Sequence, residues 1–314
     1  MPPPARSLQP SGPLEPTPAV TVLVAGASGM IGSEVRRQLE AQGHTVLRLV
    51  RRTPQAVDEF EWDPRVRIID TALMDRADAV VNLSGASLSR LPWTPRYKRT
   101  ILESRLQATS TLTDAMRMAA RPPAVFVSAS AVGIYGNQPG QSLTEDSPVG
   151  SDYLSGVVRR WESAAAHSPD STRTLMVRTG LVVGHGGALR PLRLLARLGL
   201  SGRIGTGAQH WPWISLHDEA AAIVHLLTSE LSGPVNLVGP TPATAERLLR
   251  SLAAALHRPY GFPLPARVVE ITLGDAGRQL LLADQNVSAA TLTGDGFEFR
   301  HQTVDQAVAW SLAR

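Results

Sequence analysis

The chain of 314 residues contains no cysteine. It can therefore form no disulfide, thiolate zinc site or iron–sulfur cluster, and it cannot use a cysteine nucleophile. Lysine is almost absent as well, because Lys98 is the only one among 31 basic residues. The others are arginines scattered along the chain, and with 27 acidic residues they leave a net charge of +4. No run of five basic residues occurs, so nucleic acid is not predicted as a partner.

Long apolar runs are also missing from the sequence. No stretch of 18 residues is continuously apolar, and the N-terminus lacks a basic region followed by a hydrophobic one. The sequence therefore predicts no membrane span, no secretion signal and a cytoplasmic location. Residues 1–18 contain seven prolines and almost no large apolar side chains, which predicts a disordered N-terminal tail. The eight histidines form no cluster at metal-ligand spacing, so no metal site is predicted.

Short, β-rich apolar runs alternate with helical patterns over most of the chain. This alternation predicts an α/β fold, a Rossmann-type doubly wound parallel sheet. The predicted strands cover residues 19–25, 44–50, 78–83, 124–128 and 174–178, and the predicted helices cover residues 31–42, 109–120, 151–166, 216–227 and 244–256. We expect a nucleotide-binding domain over residues 19–240, in which a segment at about 184–212 caps the cleft. A small C-terminal substrate lobe is expected over residues 241–314.

The segment between the first predicted strand and the first predicted helix is rich in glycine. It reads Gly26-Ala27-Ser28-Gly29-Met30-Ile31-Gly32. Glycine at these three positions suits a tight turn, close approach of the backbone to a pyrophosphate, and close packing of the helix on the strand. Free N–H groups at the start of the helix would then face the phosphates. We interpret the segment as a dinucleotide site, and the alternative is a structural turn without a ligand.

The end of the second predicted strand indicates which dinucleotide is bound. NAD sites usually place Asp or Glu there to hold the ribose 2′-hydroxyl, whereas NADP sites use arginine for the 2′-phosphate. In this chain Arg51 and Arg52 follow the strand, and the first acid after them is Asp58. Guanidinium groups pair well with a phosphate dianion, so the predicted cofactor is NADP(H). The alternative is a pair of solvated arginines on a loop.

Several motifs of the chain resemble the extended short-chain dehydrogenase/reductase superfamily. They are the glycine spacing above, residues 82–86 (Asn-Leu-Ser-Gly-Ala) and residues 128–136, which begin Ser-Ala-Ser. A second set is similar to the branch of that superfamily called epimerase family proteins. This set comprises Trp93 with Lys98, Ser104-Arg105, Trp161-Glu162, residues 178–180, residues 213–218 and residues 294–300. The resemblance runs from about residue 20 to residue 312, and its last motif resembles the C-terminal domain of unknown function of that branch.

The resemblance implies both cofactor contacts and a mechanism. Beyond the glycine segment, NADP(H) would contact Leu83, Ser84, Gly85 and Ser128. In the superfamily, a tyrosine with a lysine four residues later acts as general acid/base, and the ammonium group lowers the pKa of the phenol. A serine polarises the substrate oxygen, and Ser130 matches that serine.

The Tyr–Lys pair itself is missing from the chain. None of the four tyrosines has a lysine four residues later, and Leu154 and Val158 stand at the pair's positions in the helix that should carry it. Tyr153 lies one residue away, but a tyrosine near its solution pKa of about 10 is a poor base without a nearby cation. The candidate catalytic residues are therefore Ser130, Tyr153 and Lys98. Ser130 could instead be a buried hydroxyl, and Lys98 a surface or phosphate-contacting residue.

Three functions follow from these observations. The leading hypothesis is an NADP-dependent oxidoreductase, with epimerase-type chemistry included, that acts on an unidentified small substrate. The second is a non-catalytic NADP(H)-binding sensor, which the missing Tyr–Lys pair supports. The third, a cell-division or other interaction protein, depends on family labels alone. A small-molecule substrate is the expected partner, and a homodimer is left open.

Overall fold

Parallel strands form the centre of the structure, which is a computed structural model that describes residues 19–187 and 189–313. The predicted N-terminal tail lies outside the described residues. The strands are β1 (Thr21–Ala25), β2 (Thr45–Val50), β3 (Glu59–Glu61), β4 (Ala79–Asn82), β5 (Val125–Ala131), β6 (Ser142–Leu143), β7 (Arg173–Thr179), β8 (Leu181–Val183), β9 (Trp213–Ser215), β10 (Gly233–Leu237) and β11 (Asn286–Val287). Seven of them form one parallel sheet in the order β10-β7-β5-β4-β1-β2-β3.

Helices follow the strands and cover both faces of this sheet. They are α1 (Met30–Ala41), α2 (Ala72–Arg76), α3 (Pro95–Met118), α4 (Tyr153–Ala165), α5 (Leu189–Arg197), α6 (Leu216–His225), α7 (Ala245–Ala255), α8 (Ala266–Leu273), α9 (Asp275–Gly277), α10 (Ala290–Gly294) and α11 (Val304–Leu312). A 3-10 helix (Val132–Tyr135) follows β5, and a π-helix (Arg278–Leu282) follows α9. The predicted doubly wound α/β fold is confirmed, because the chain reverses the direction of strand addition between β1 and β4.

Several helices begin where the sequence predicts them because a polar side chain caps their first turn. Ser215 accepts a hydrogen bond from the amide of Asp218 at the start of α6, and Thr244 does the same for α7. Such caps satisfy N–H groups that have no partner within the helix. The predicted starts of these two helices are therefore correct to within one residue.

The helix predicted over residues 109–120 is much longer in the structure. It begins at Pro95, where Thr94 caps the first turn, and ends at Met118. The prediction was wrong because several inward positions of α3 are polar: Arg105, Thr109, Thr111 and Thr113 are all buried. Hydrophobic periodicity cannot detect a helix face that buries hydroxyl and guanidinium groups.

The short edge strand β3 was not predicted from the sequence. It has three residues, Glu59–Glu61, two of which are glutamates, and glutamate is uncommon in strands. The Glu59 carboxylate is buried and forms salt bridges with Arg48 and Arg52, 3.0 Å and 2.7 Å long. These ion pairs, which no local pattern indicates, hold the strand against β2.

The C-terminal part of the chain packs onto the sheet domain at several places. Strand β11 pairs with β6, and β8 pairs with β9. Helix α11 contacts both α7 and β9. The carboxylate of Asp218, at the start of α6, accepts hydrogen bonds from the amides of Arg300 and His301. Among the described residues, no helix has the length and apolar character that a membrane crossing requires.

Candidate cofactor and active site

The predicted glycine turn lies at the carboxyl end of β1, where the strand order reverses. Gly26 has a φ of +83°, a conformation that side chains other than glycine rarely adopt. A β-carbon at this position would lie 2.8 Å from the carbonyl carbon of Leu83 in the loop after β4. At Gly32 a β-carbon would collide with the carbonyl oxygen of Gly26, and at Gly29 it would lie 3.2 Å from the same oxygen. Gly26 and Gly32 therefore allow a close approach of backbone that any side chain would prevent, whereas a side chain at Gly29 would require a small shift.

The first turn of α1 is open toward this edge of the sheet. Gly29 is its N-cap and no side chain caps it, so its N–H groups are available to an anion. Ser28 is exposed in the turn, whereas Met30 and Ile31 are half-buried at the start of the helix. The sulfur of Met30 lies beneath the loop after β8, since a β-carbon at Gly184 or Gly186 would be 3.3 Å from it. This contact places the start of the predicted cleft-capping segment beside the glycine turn.

The two arginines at the end of β2 differ in their surroundings. Arg52 donates to both carboxylate oxygens of Glu59, at 2.7 Å and 2.8 Å, and this bond holds the pKa of Glu59 below its ordinary value. Arg51 is exposed and forms no hydrogen bond or salt bridge with another described residue. Arg52 therefore already has a carboxylate partner, whereas Arg51 has no such partner among the described residues.

The loop after β4 is held by a buried polar network. The Asn82 side chain donates to the Thr109 hydroxyl at 3.0 Å and accepts from the amide of Ser84 at 3.1 Å. Thr109 also accepts a hydrogen bond from the indole of Trp161, 2.9 Å long, which joins α3 to α4. Asn82 and Thr109 are fully buried. The network holds the backbone at Ser84, in the segment of Leu83, Ser84 and Gly85 that the family resemblance assigns to the cofactor.

Arg105, in α3, lies directly behind this loop. Its Nη1 donates to the carbonyls of Ala86 and Ile101, at 3.1 Å and 3.0 Å, and its guanidinium stacks on Trp161 at 5.0 Å. No carboxylate among the described residues pairs with it, and burial lowers the pKa of Arg105 to about 10. The guanidinium supports the loop, and Gly85 leaves the room for it because a β-carbon there would be 3.3 Å from Cζ.

Ser128 and Ser130, on β5, are both buried. The Ser130 hydroxyl donates to the carboxylate of Glu162 on α4 at 2.5 Å. Arg178 of β7 donates to both oxygens of the same carboxylate, at 2.9 Å and 3.0 Å. Ser130 thus belongs to a buried network that joins α4 to β7.

Tyr153 and Lys98 come together, although not as an acid/base pair. The ammonium group of Lys98 lies 4.9 Å from the centre of the Tyr153 ring, and the Tyr153 hydroxyl donates to the carbonyl of Lys98 at 2.6 Å. The ammonium also forms a salt bridge with Asp275 of α9. Burial raises the pKa of Tyr153, so the tyrosine has not become a better base. Leu154 and Val158, at the positions of the missing pair, are buried apolar residues.

A further buried acid near the carboxyl end of β7 was not predicted from the sequence. Glu219 of α6 is fully buried and accepts a hydrogen bond from the Thr179 hydroxyl at 2.7 Å. Its other carboxylate oxygen has no hydrogen-bond partner among the described residues. A single glutamate before the apolar run of α6 looks like an ordinary surface acid in the first turn of a helix. No pattern in the sequence distinguishes it from one.

The seven-stranded parallel sheet, with a glycine turn at its switch point, defines the chain as a Rossmann-type protein. It belongs to the NAD dependent epimerase/dehydratase family, whose model matches residues 22–239. The model of a domain of unknown function, DUF1731, matches residues 264–311. The resemblance drawn from the sequence motifs is confirmed by both matches.

Similar proteins come from bacteria and from mammals. An epimerase family protein of Mycobacterium leprae (strain TN) is 37% identical over 296 residues, which are 93% of this chain and 96% of that protein. Epimerase family protein SDR39U1 of Bos taurus is 37% identical over 298 residues, 93% of this chain and 99% of the relative.

Two solved structures show the same fold over nearly the whole chain. Human epimerase family protein SDR39U1 with NADPH has a TM-score of 0.86 at 32% identity, and the match covers 93% of this chain and 99% of that one. The nucleoside-diphosphate sugar epimerase from Corynebacterium glutamicum has a TM-score of 0.77 at 30% identity. That match covers 94% of this chain and 58% of the longer Corynebacterium chain.

Proposed function

We propose that the protein binds NADP(H) across the carboxyl edge of its sheet and is an oxidoreductase of the extended short-chain dehydrogenase/reductase type. The observation that carries the proposal is the glycine turn after β1 together with Arg51 after the neighbouring strand β2, an arginine that has no hydrogen-bonded or ion-paired partner among the described residues. The turn leaves room for a pyrophosphate at the uncapped start of α1, and Arg51 offers a cation for the 2′-phosphate. The human relative solved with NADPH supports the same cofactor.

The residues around the other half of the cofactor would shape the reaction. Leu83, Ser84 and Gly85 follow the carboxyl end of β4, and Ser128 of β5 lies opposite Asn82, the last residue of β4. Ligands of Rossmann-type folds bind at this edge of the sheet, so these residues would adjoin the nicotinamide half. When bound, the cofactor would exchange a hydride with a substrate carbon. The substrate would lie between this edge, the segment at about 184–212 and the lobe that begins near residue 241. Its chemical identity does not follow from the fold.

A second candidate is a non-catalytic NADP(H)-binding sensor. Two observations favour it: the Ser130 hydroxyl donates to Glu162, and the Tyr153 hydroxyl donates to the backbone of Lys98. Both proposed catalytic hydroxyls are thus occupied within the protein. Oxidation of NADPH with a panel of carbonyl compounds and nucleotide sugars separates the two functions, since the sensor would give no turnover with any of them.

The cofactor proposal is tested by calorimetric titration with NADPH and NADH. We expect the wild type to prefer NADPH. Arg51→Ala should weaken NADPH binding by about tenfold or more, because it removes a charge-assisted hydrogen bond to phosphate. It should leave NADH binding unchanged.

Arg52→Ala is the matched control for this experiment, because the side chain is bonded to Glu59. Its effect on NADPH affinity should be clearly smaller than that of Arg51→Ala. Equal affinity of the wild type for NADPH and NADH would overturn the NADP assignment. Binding of neither nucleotide would remove the cofactor site altogether.

A further inference from the structure

Glu219 is a fully buried acid with one hydrogen-bond partner among the described residues. It lies in the first turn of α6 with no exposed surface. One carboxylate oxygen is bonded to Thr179 at 2.7 Å, and the other has no partner among the described residues. Burying a carboxylate without a counterion is costly, so the neutral acid is favoured. Burial accordingly raises the pKa of Glu219 to about 8.

The position of this acid points to the nicotinamide end of the cofactor site. Thr179 is the last residue of β7 and lies opposite Ala131, the last residue of β5. Glu219 is three residues after Leu216, so the two share one side of α6. A β-carbon at Gly184 would lie 3.1 Å from Cβ of Leu216 and 3.3 Å from Sδ of Met30. The carboxyl group therefore lies on the side of α6 that faces the glycine turn and the carboxyl end of β7.

The titratable residues next to Glu219 in sequence have other partners. Asp218 accepts from Ser215 and from two backbone amides, and His217 approaches Gln38 of α1. The remaining charged or titratable groups on the elements packed around it are His225 on α6, Glu34, Arg36, Arg37 and Glu40 on α1, Arg173 and Arg178 on β7, and Arg300 and His301 near the C-terminus. None of them forms a hydrogen bond or salt bridge with the Glu219 carboxyl, whose one hydrogen-bond partner within residues 19–187 and 189–313 is Thr179.

We propose that Glu219 holds the proton that the reaction uses and passes it to the substrate through the Thr179 hydroxyl. In this proposal Thr179 faces the substrate, and Glu219 does not touch it. The proposal rests on the proposed oxidoreductase function. As a substrate carbonyl carbon gains hydride from the bound cofactor, its oxygen takes the proton of the Thr179 hydroxyl, which turns from Glu219 toward the substrate, and the Thr179 oxygen takes the proton of Glu219. The substrate becomes an alcohol, the cofactor becomes oxidised, and Glu219 is left as a carboxylate. In the reverse direction the carboxylate accepts the proton.

This arrangement would supply the general acid/base that the missing Tyr–Lys pair provides in the superfamily. An acid that loses its proton near neutral pH suits general acid/base chemistry, whereas a tyrosine with a raised pKa does not. The oxidised nicotinamide ring carries a positive charge, which the reduced ring lacks. A nearby carboxylate would therefore be favoured when the oxidised cofactor is bound.

The proposal is tested by counting protons during cofactor binding, which needs no substrate. Calorimetric titrations at pH 7 in two buffers of different ionisation enthalpy give the number of protons exchanged with NADP⁺ and with NADPH. We expect NADP⁺ binding to release a substantial fraction of one proton more than NADPH binding does. The 2′-phosphate is common to both ligands, so its contribution cancels in the difference.

Variants at Glu219 and His217 identify the group that releases the proton. Glu219→Gln should abolish the difference between NADP⁺ and NADPH while retaining NADPH binding, and Glu219→Leu serves if the glutamine variant fails to fold. His217→Asn, which removes the neighbouring titratable group, should keep the difference. An equal proton count for the two ligands in the wild type, or an unchanged difference in both Glu219 variants, would overturn the proposal. If neither NADP⁺ nor NADPH binds, the proposed cofactor function itself is wrong, and the proposal that depends on it is wrong as well.

A pH profile tests the role of Thr179 once a substrate is found. Thr179→Val should retain the NADP⁺-linked proton release, because Glu219 is still present, but should lose the dependence of turnover on an acid that titrates near pH 8. An unchanged pH profile in Thr179→Val would show that the proton does not pass through its hydroxyl.

Discussion

At the scale of single residues, two helical glycines lie in opposite surroundings. Gly32 in α1 packs against the backbone of Gly26 and Ala27, with no room for a β-carbon. Gly156 in α4 has no heavy atom within 4 Å of the place where its β-carbon would be. Both positions are helical, so the intrinsic preference of a helix for alanine is the same at both. The difference in packing alone decides the effect of an alanine.

We therefore expect opposite changes in stability from the two substitutions. Gly156→Ala should stabilise the protein by about 0.5–1 kcal/mol, because alanine loses less conformational entropy in a helix. Gly32→Ala should destabilise it by about 1–3 kcal/mol through overpacking. Urea denaturation measures both free energies of unfolding. If Gly32→Ala left the free energy of unfolding unchanged, the turn would have room for a methyl group, and close backbone approach would not require glycine at this position.

The sequence predicts the residue types of the cofactor site but not their partners. Arg51 and Arg52 are equivalent as a dipeptide after a strand. Only the fold separates them, because Glu59 lies on a neighbouring strand too short to predict and holds Arg52. In the same way, Ser130 is identified by its motif, whereas its bond to Glu162 depends on how α4 packs.

At the scale of elements, helix α4 and strand β7 are joined by a buried ion pair. The side chains of Glu162 and Arg178 are 11% and 8% exposed, and two hydrogen bonds connect them. The guanidinium also donates to the Tyr135 hydroxyl at 3.0 Å. A buried pair of this kind adds little net stability against an apolar pair, but removing one partner leaves a charge without compensation.

This asymmetry gives a testable order of stabilities. Glu162→Leu should cost about 3–5 kcal/mol, because Arg178 would remain buried without its carboxylate. The double variant Glu162→Leu/Arg178→Met should recover most of that loss. Ser130→Ala should cost less, about 1.5–3 kcal/mol, the range for one hydrogen bond to a charged group. Urea denaturation of the three variants checks the order, and a double variant no more stable than Glu162→Leu would contradict the charge argument.

The sequence predicts β1 well because its apolar run is clear. It predicts α6 and α7 well because a capping residue also marks the start of each helix. It fails for α3, whose inward face carries Arg105 and Thr109, and for β3, which depends on ion pairs. In both elements buried polar residues occupy positions at which a periodic pattern would require apolar residues. Helix α3 contacts the end of β4 and the loop after it through Thr109 and Arg105, and β3 binds Arg52 through Glu59. The parts that the sequence predicts least well therefore adjoin the proposed cofactor site.

At the scale of the whole molecule, the C-terminal part is tied to the sheet domain through buried polar groups. Asp218 is 1% exposed, and its carboxylate accepts the amides of Arg300 and His301. The pairing of β11 with β6 adds a second link. No periodicity in the sequence indicates either contact. Because α6 carries both Asp218 and Glu219, unfolding that exposes this helix breaks the contact between the two parts and exposes the buried acid.

The raised pKa of Glu219 should therefore appear in the stability of the whole protein. Burial raises this pKa to about 8, from an ordinary value of 4.5. Between these pH values the folded chain keeps the proton and the unfolded chain has lost it. The contribution of Glu219 to stability is thus complete below pH 4.5 and is lost as pH rises toward about 8, with a limiting slope of about 1.4 kcal/mol per pH unit.

Glu219→Gln removes this titration and keeps a side chain of similar size. The variant should resemble the wild type near pH 5 and become progressively more stable than it as pH rises to 8. The acids Asp58 and Glu59, whose pKa values are lowered by bonds to arginines, stay ionised over this range. The lowered pKa of His217 acts in the opposite direction but equally in both proteins. Thermal unfolding from pH 5 to pH 8 measures the difference, and parallel profiles would mean that Glu219 is ionised in the folded protein and cannot store a proton for the site.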